Sequence, residues 1–272
     1  MERHLIVLDL DGTLLTDEKV ISKRTKETLL RAKQAGHEIM IATGRPYRAT
    51  GMYYKELGLQ TPIVNFNGAF VHHPLSRDWK TMHEPISLDV VRDVVDAVES
   101  YQIKNLLAEV LDDVYLHIHD DKIMDAFANG EPNFTTGDLR KYLKHDPTSM
   151  LIHAEEHHVE DIRQHLRDVH AEVIDHRRWG APWHVIEIVK SGLNKAVGIQ
   201  PVAEYLNISK DHIIAFGDED NDLEMIEYAG TGVAMGNAIS PLKSIANEII
   251  GTNNEDGIGI YLEERLKLKQ TI

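Results

Sequence analysis

The 272-residue chain contains no cysteine, which removes disulfides, thiolate nucleophiles and Cys-ligated zinc from consideration. It also lacks any apolar run approaching the roughly 18 residues of a membrane-spanning helix. The stretch Leu5-Ile6-Val7-Leu8 near its start is too brief for the apolar region of a secretory signal. A cytoplasmic protein that does not touch membranes is the expectation. Basic residues are scarce as well: 29 Lys and Arg stand against 44 Asp and Glu, giving a formal net charge of −15. A surface of that sign repels nucleic-acid backbones and anionic lipids, so an anionic ligand must be small and locally neutralised. What remains, with 42% hydrophobic and 27% charged residues and no low-complexity tract, is an ordinary globular composition that excludes disorder.

Short apolar runs end repeatedly in polar chemistry. Leu5–Leu8 runs into Asp9, Ile39–Ala42 into Thr43-Gly44-Arg45, Ile63–Phe66 into Asn67-Gly68, Ile213–Phe216 into Gly217-Asp218, and Gly232–Met235 into Gly236-Asn237. Runs of this length read as strands buried on both faces of a parallel sheet. Ser22 can cap a helix running to about Lys33 that stops at Gly36, and further helical stretches lie near 222–229 and 240–246. Strands alternating with helices predict a doubly wound α/β sheet, whose ligands bind beyond the strand carboxyl ends. Between about 83 and 187 the texture changes to α+β, with helices near 88–101 and 157–168 and strands near 105–110, 113–118, 148–153 and 184–189. That segment reads as a second domain inserted into the first.

Asp9-Leu10-Asp11-Gly12-Thr13 places two carboxylates two positions apart after a buried strand. In extended backbone both project to the same side. One carboxylate could attack phosphorus while the other donates a proton to the leaving oxygen, and Gly12 lets the backbone turn away. By itself such a pair is as well explained by a solvated turn. Gly217-Asp218-Glu219-Asp220-Asn221-Asp222 gathers four carboxylates at another strand end. Mg²⁺, which takes oxygen ligands, is one reason for such a cluster, and an acidic loop or helix N-terminus is the other. Thr43-Gly44-Arg45 and Lys195 offer a hydroxyl and two cations for phosphate oxygens. Taken singly, Thr43 reads better as a helix cap, Arg45 as a surface ion-pair partner and Lys195 as an exposed lysine.

In order along the chain, however, the four groups resemble the signature of the haloacid dehalogenase superfamily, in its Cof-type branch. Asp9-Leu10-Asp11-Gly12-Thr13-Leu14 is similar to the first motif, Thr43-Gly44-Arg45 to the second, Lys195 to the third and Gly217–Asp222 to the fourth. Asn67-Gly68-Ala69, Met235-Gly236-Asn237-Ala238 and Asp256-Gly257 resemble further recurring elements of that branch. The resemblance implies a Rossmann-like catalytic core, residues 1–82 and 188–272, carrying a C2-type cap of the C2B subclass at 83–187. It implies that Asp9 is a nucleophile forming an aspartyl phosphate, and that Asp11 is first acid and then base. Mg²⁺ would be held by the Asp9 carboxylate, the Asp11 main-chain carbonyl and Asp218, with Asp222 in direct or water-mediated support. Thr43 and Lys195 would bind the phosphoryl oxygens with Gly44 beside them, Asn221 would orient Lys195 or the phosphate, and Arg45 and Asn67 would contact the substrate.

The expected activity is hydrolysis of a small phosphorylated metabolite such as a sugar phosphate, by a monomer or homodimer. The alternatives are a phosphomutase of the phosphomannomutase type and a non-enzymatic phosphoacceptor module. His117, His119, Trp179, Trp183 and His184 are the cap's candidates for specificity, while the His pairs as a group read as solvated surface.

Overall fold

A computed structural model describes residues 2–101, 103–170, 174–178 and 185–268. Trp179, Trp183 and His184 lie outside the described residues. The chain divides into two compact units: one drawn from the segments ending at Gly44, Gly51–Thr81 and the chain from Asn194 onward, the other from Arg45–Thr50 and Met82–Leu193.

The first unit is built on a five-stranded parallel sheet in the order Glu248–Ile249, Thr231–Ala234, Ile213–Gly217, Leu5–Leu8, Glu38–Ile41. All four residues of the central strand Leu5–Leu8 are buried, which is why it lacks the alternation of a half-exposed strand. Its register pairs Leu8 with both Phe216 and Ile41, so three strands end at the same level. The next run is shorter than its apolar residues suggest: Ile63–Asn65 pairs with Phe70–His72 in a hairpin, and meets the parallel sheet's edge through a bridge from Val64 to Ala42. Helix Lys23–Gln34 begins where Ser22 accepts the Thr25 N–H at 3.3 Å and buries Leu29 and Ala32. It packs on helix Gly257–Arg265 at Gly259, where an added Cβ would lie 3.1 Å from Thr25.

The second unit is an α+β layer. Its six-stranded sheet runs Ile174–Arg178, Val185–Lys190, Ser149–His153, Asn105–Val110, Asp113–Leu116, Phe134–Thr136. The period-two alternation of these strands splits their side chains between two faces. Ala108, Met150, Ile152, Ile186 and Ile188 pack with Val91, Val94, Val95 of helix Leu88–Val98 and Ile162, Leu166 of helix Val159–His170. Leu107, Leu116, Leu151 and Val185 form a second cluster with Ile123. The segment Arg45–Thr50 is anchored within this unit by the Arg48–Glu109 ion pair at 2.5 Å, both side chains almost wholly buried. His117 and His119 serve local structure here: His117 Nδ1 accepts the Leu139 N–H at 3.3 Å, and His119 Nε2 lies 3.0 Å from Asp121. Among the described residues no helix is long and apolar enough to cross a membrane.

Candidate active site

Because Leu8 and Phe216 are register partners, Asp9 and Gly217-Asp218 leave the sheet side by side, with the Asp9 N–H still donating to Phe216 O at 3.2 Å. Asp9 is 5% exposed, Asp218 7% and Asp222 0%. One oxygen from each carboxylate lies within 4.8 Å of the others. Lys195, also fully buried, sits among them: its Nζ donates to Asp9 Oδ1 at 2.6 Å and to Asp222 Oδ1 at 2.7 Å.

The local sequence explains how these groups fit. Gly12 has φ +74°, and an added Cβ would fall 2.1 Å from Asp218 Oδ2, so both backbone conformation and space demand glycine. The next residue, Thr13, donates its hydroxyl to Asp218 Oδ1 at 2.8 Å. Asn237 donates to Gly12 O at 2.7 Å and ties the loop from the other side. Gly217 leaves room for Asp222, whose Cβ would lie 2.5 Å from an added Cβ. Asp222 closes its own loop, as Oδ2 accepts the N–H groups of Asp218 at 3.0 Å and Glu219 at 3.2 Å. Lys195 is the first residue of helix Lys195–Leu206, capped by Asn194 through the Val197 N–H at 3.1 Å.

Electrostatics follow from burial. Three buried carboxylates and one ammonium leave two negative charges unbalanced when all are ionised. Burial pushes Asp9 up to about 7, Lys195 opposes that rise, and Asp222 and Asp11 add to it. Burial likewise pushes Asp218 up to about 8, with Asp9 and Asp222 reinforcing it. Burial alone would lower the Lys195 pKa, but Asp222 and Asp9 outweigh it and raise it, so Lys195 stays charged. An excess of two charges on closely spaced carboxylate oxygens matches a hard divalent cation rather than one seeking sulfur or imidazole.

The remaining expected residues fall in different surroundings. Asp11 does not join the buried cluster; its Oδ1 lies 2.8 Å from Lys19 Nζ in a half-exposed pair. Thr43 is buried, with its N–H on Val64 O at 2.9 Å and its carbonyl accepting from Asn67 N at 3.1 Å. Gly44 leaves space for Asn67, whose amide nitrogen would lie 3.1 Å from an added Cβ. Asn221 donates to Asn67 Oδ1 at 3.1 Å. Arg45 belongs to the second unit, where its guanidinium donates to Ala49 O at 3.5 Å.

Against known proteins, the model of the haloacid dehalogenase-like hydrolase family matches residues 6–262. The chain belongs to that family. This hydrolase is 58% identical to the 5-amino-6-(5-phospho-D-ribitylamino)uracil phosphatase YitU of Bacillus subtilis (strain 168), over 97% of its own length and 98% of the relative's. It is 30% identical to the pyridoxal phosphate phosphatase YbhA of Escherichia coli (strain K12), over 98% and 100%. A solved haloacid dehalogenase-like hydrolase from Bacteroides thetaiotaomicron superposes with a TM-score of 0.83 at 27% identity, covering 97% of this chain and 100% of that one.

Four contributors to the hydrolase's site escape a reading of its motifs. Thr13 lies inside a motif, yet its link to Asp218 spans 205 residues. Asn194 had a local signal, since an Asn before a run of helix formers is a favoured N-cap. Asn237 stands in the Met235–Ala238 element, yet nothing local says that it reaches Gly12, and Lys19 had no signal at all.

Proposed function

We propose that this phosphatase removes the terminal phosphate of 5-amino-6-(5-phospho-D-ribitylamino)uracil, using Asp9 as nucleophile and Mg²⁺ as its cation. The observation that carries the chemistry is the buried contact of Lys195 with Asp9 and Asp222, beside Asp218. The relative at 58% identity over 97% of the chain supports the substrate.

Asp9 attacks phosphorus, and the bond from phosphorus to the ribityl oxygen breaks as Asp11 gives that oxygen its proton. Asp11 then takes a proton from water, whose oxygen attacks the phosphorus of the aspartyl phosphate and returns Asp9 as carboxylate. Lys195 and Thr43 stabilise the equatorial oxygens, where positioned charge supplies most of the catalysis. The Asp9 and Asp218 carboxylates and the Asp11 carbonyl would hold Mg²⁺, with Asp222 behind them because both its oxygens are already engaged. Bound there, Mg²⁺ supplies charge that offsets the repulsion between carboxylate and phosphate. In this reading the second unit is the cap that selects the leaving group, and the protein works in the cytoplasm on a small metabolite, as its net charge of −15 favours. The named relatives are phosphatases, so the mutase reading is not favoured.

The substrate is tested by comparing kcat/KM for this compound with that for pyridoxal phosphate and simple sugar phosphates. The expected preference is at least about tenfold, or 1.4 kcal/mol of transition-state binding. Equal or better turnover of pyridoxal phosphate would overturn it.

Metal binding carries a pH signature. Asp9 and Asp218 have folded pKa values of about 7 and about 8, above the ~3.9 of an unfolded Asp. Their contribution to the stability of the metal-free protein is therefore present at low pH and lost as pH rises through 7 to 8. A cation needs them ionised and displaces protons. The Mg²⁺-induced rise in melting temperature should accordingly be several-fold larger at about pH 8.5 than at about pH 6. A rise that does not change with pH would count against Asp9 and Asp218 as ligands.

A further inference from the structure

Three consecutive residues beside the site have positive φ: Phe66 at 49°, Asn67 at 52° and Gly68 at 103°. For a bulky residue such as Phe66 that conformation is a genuine outlier, and it persists only where surroundings enforce it. Those surroundings are the loops of the candidate active site. Asn67 is fully buried; its N–H donates to Thr43 O at 3.1 Å and its Oδ1 accepts from Asn221 at 3.1 Å. Gly44 lacks the Cβ that would crowd the Asn67 amide. Gly68 lies so close to Asn194, the cap of the Lys195 helix, that an added Cβ would be 2.4 Å from its carbonyl oxygen. One tight turn thus meets the Thr43 loop, the Asn221 loop and the start of the Lys195 helix, all within the first unit.

We propose that Asn67 is a positioning residue, which locks Thr43 and Asn221 to each other around the transferring phosphoryl group and makes no contact with the leaving group. The inference rests on the phosphatase reading above and departs from the expectation that Asn67 touches substrate. A residue acting this way affects every monoester alike, because the phosphoryl group is common to all. A residue touching the leaving group discriminates among them.

Asn67→Gly is the informative variant, since glycine accepts the left-handed backbone and only the amide is lost. With Mg²⁺ present, kcat/KM should fall roughly 30-fold on p-nitrophenyl phosphate, pyridoxal phosphate and a sugar phosphate, by the same factor within about threefold. Asn221→Ala removes the same hydrogen bond from a less buried position, should fold normally, and should give the same uniform pattern. The double variant should be scarcely worse than either single one, as members of one hydrogen-bonded pair are not additive. Losses confined to one ester, additive losses, or unchanged kcat/KM would each overturn the proposal. Wild-type protein inactive on all three esters would instead refute the phosphatase reading. In that event the rise in melting temperature with inorganic phosphate still decides: it should shrink in both variants, and full retention would overturn the proposal.

Discussion

Asp9→Asn should lower phosphate release from any monoester by at least about 10⁴-fold while leaving the fold as stable as before, or more so. The activity loss follows from chemistry, because an amide oxygen cannot form the acyl phosphate. The stability result follows from the site's electrostatics. Asp9 is buried with Asp218 and Asp222, and burial raises its pKa to about 7 because an ionised carboxylate is poorly solvated there. Asparagine keeps the shape and still offers Lys195 an oxygen, but removes one of three mutually repelling charges. The metal-free variant should therefore melt at an equal or higher temperature near pH 8, the pattern expected where catalytic groups are held against stability. A variant that retains turnover would refute Asp9 as nucleophile. One that is inactive because it has unfolded would refute the account of the charges.

Lys195→Met should have the second-largest effect, and of a different kind. Its ammonium is the shared partner of Asp9 and Asp222 at 2.6 and 2.7 Å. Replacing it with an apolar chain of similar length leaves two buried carboxylates facing each other. Truncating one partner of a buried ion pair typically destabilises by about 3–5 kcal/mol. The sign of the pH dependence is fixed: with Lys195 gone, the folded-state pKa values of Asp9 and Asp218, which its charge holds down, rise further. The defect is then greatest above neutrality and shrinks toward about pH 5, as the carboxylates take up protons. Activity should fall by about 10³-fold, because in the proposed mechanism the same ammonium stabilises the phosphoryl oxygens in the transition state. Urea melts at the two pH values, with turnover measured on the folded fraction, separate the two effects. Near-normal kcat/KM in Lys195→Met would show that another cation supplies the charge.

How far the sequence led is clearest from particular residues. The strand Leu5–Leu8 and the carboxylates after it were legible because a doubly buried strand has an unbroken apolar run and parallel strands share one carboxyl edge. The cap's strands, though mostly antiparallel, were legible as short apolar runs too, the predicted 105–110 matching Asn105–Val110. Three things were not. The predicted third core strand is a short hairpin arm, because Phe66 leaves the extended region with φ 49°. Asn67-Gly68 signals a turn, but nothing local says that it begins at Phe66. Nor were the partners around Asn221, expected to orient Lys195 or the phosphate: Asp9 and Asp222 hold Lys195, while Asn221 donates to Asn67. Finally, Arg45 follows Thr43-Gly44 in sequence yet belongs to the other unit, a break that only tertiary contacts such as Arg48–Glu109 reveal. Local pattern locates where chemistry can stand, whereas the partners that fix it lie more than 200 residues away, as with Thr13 and Asp218 and Gly12 and Asn237.

The central claim is that Asp9 carries the phosphoryl group between its two transfers. Rapid acid quench during turnover with Mg²⁺, followed by proteolysis and mass spectrometry, tests it directly. The account predicts a phosphate adduct confined to the peptide around Asp9, formed in the first turnover and absent from Asp9→Asn. A phosphate adduct on any other side chain, or turnover by a protein that never acquires one, would contradict it.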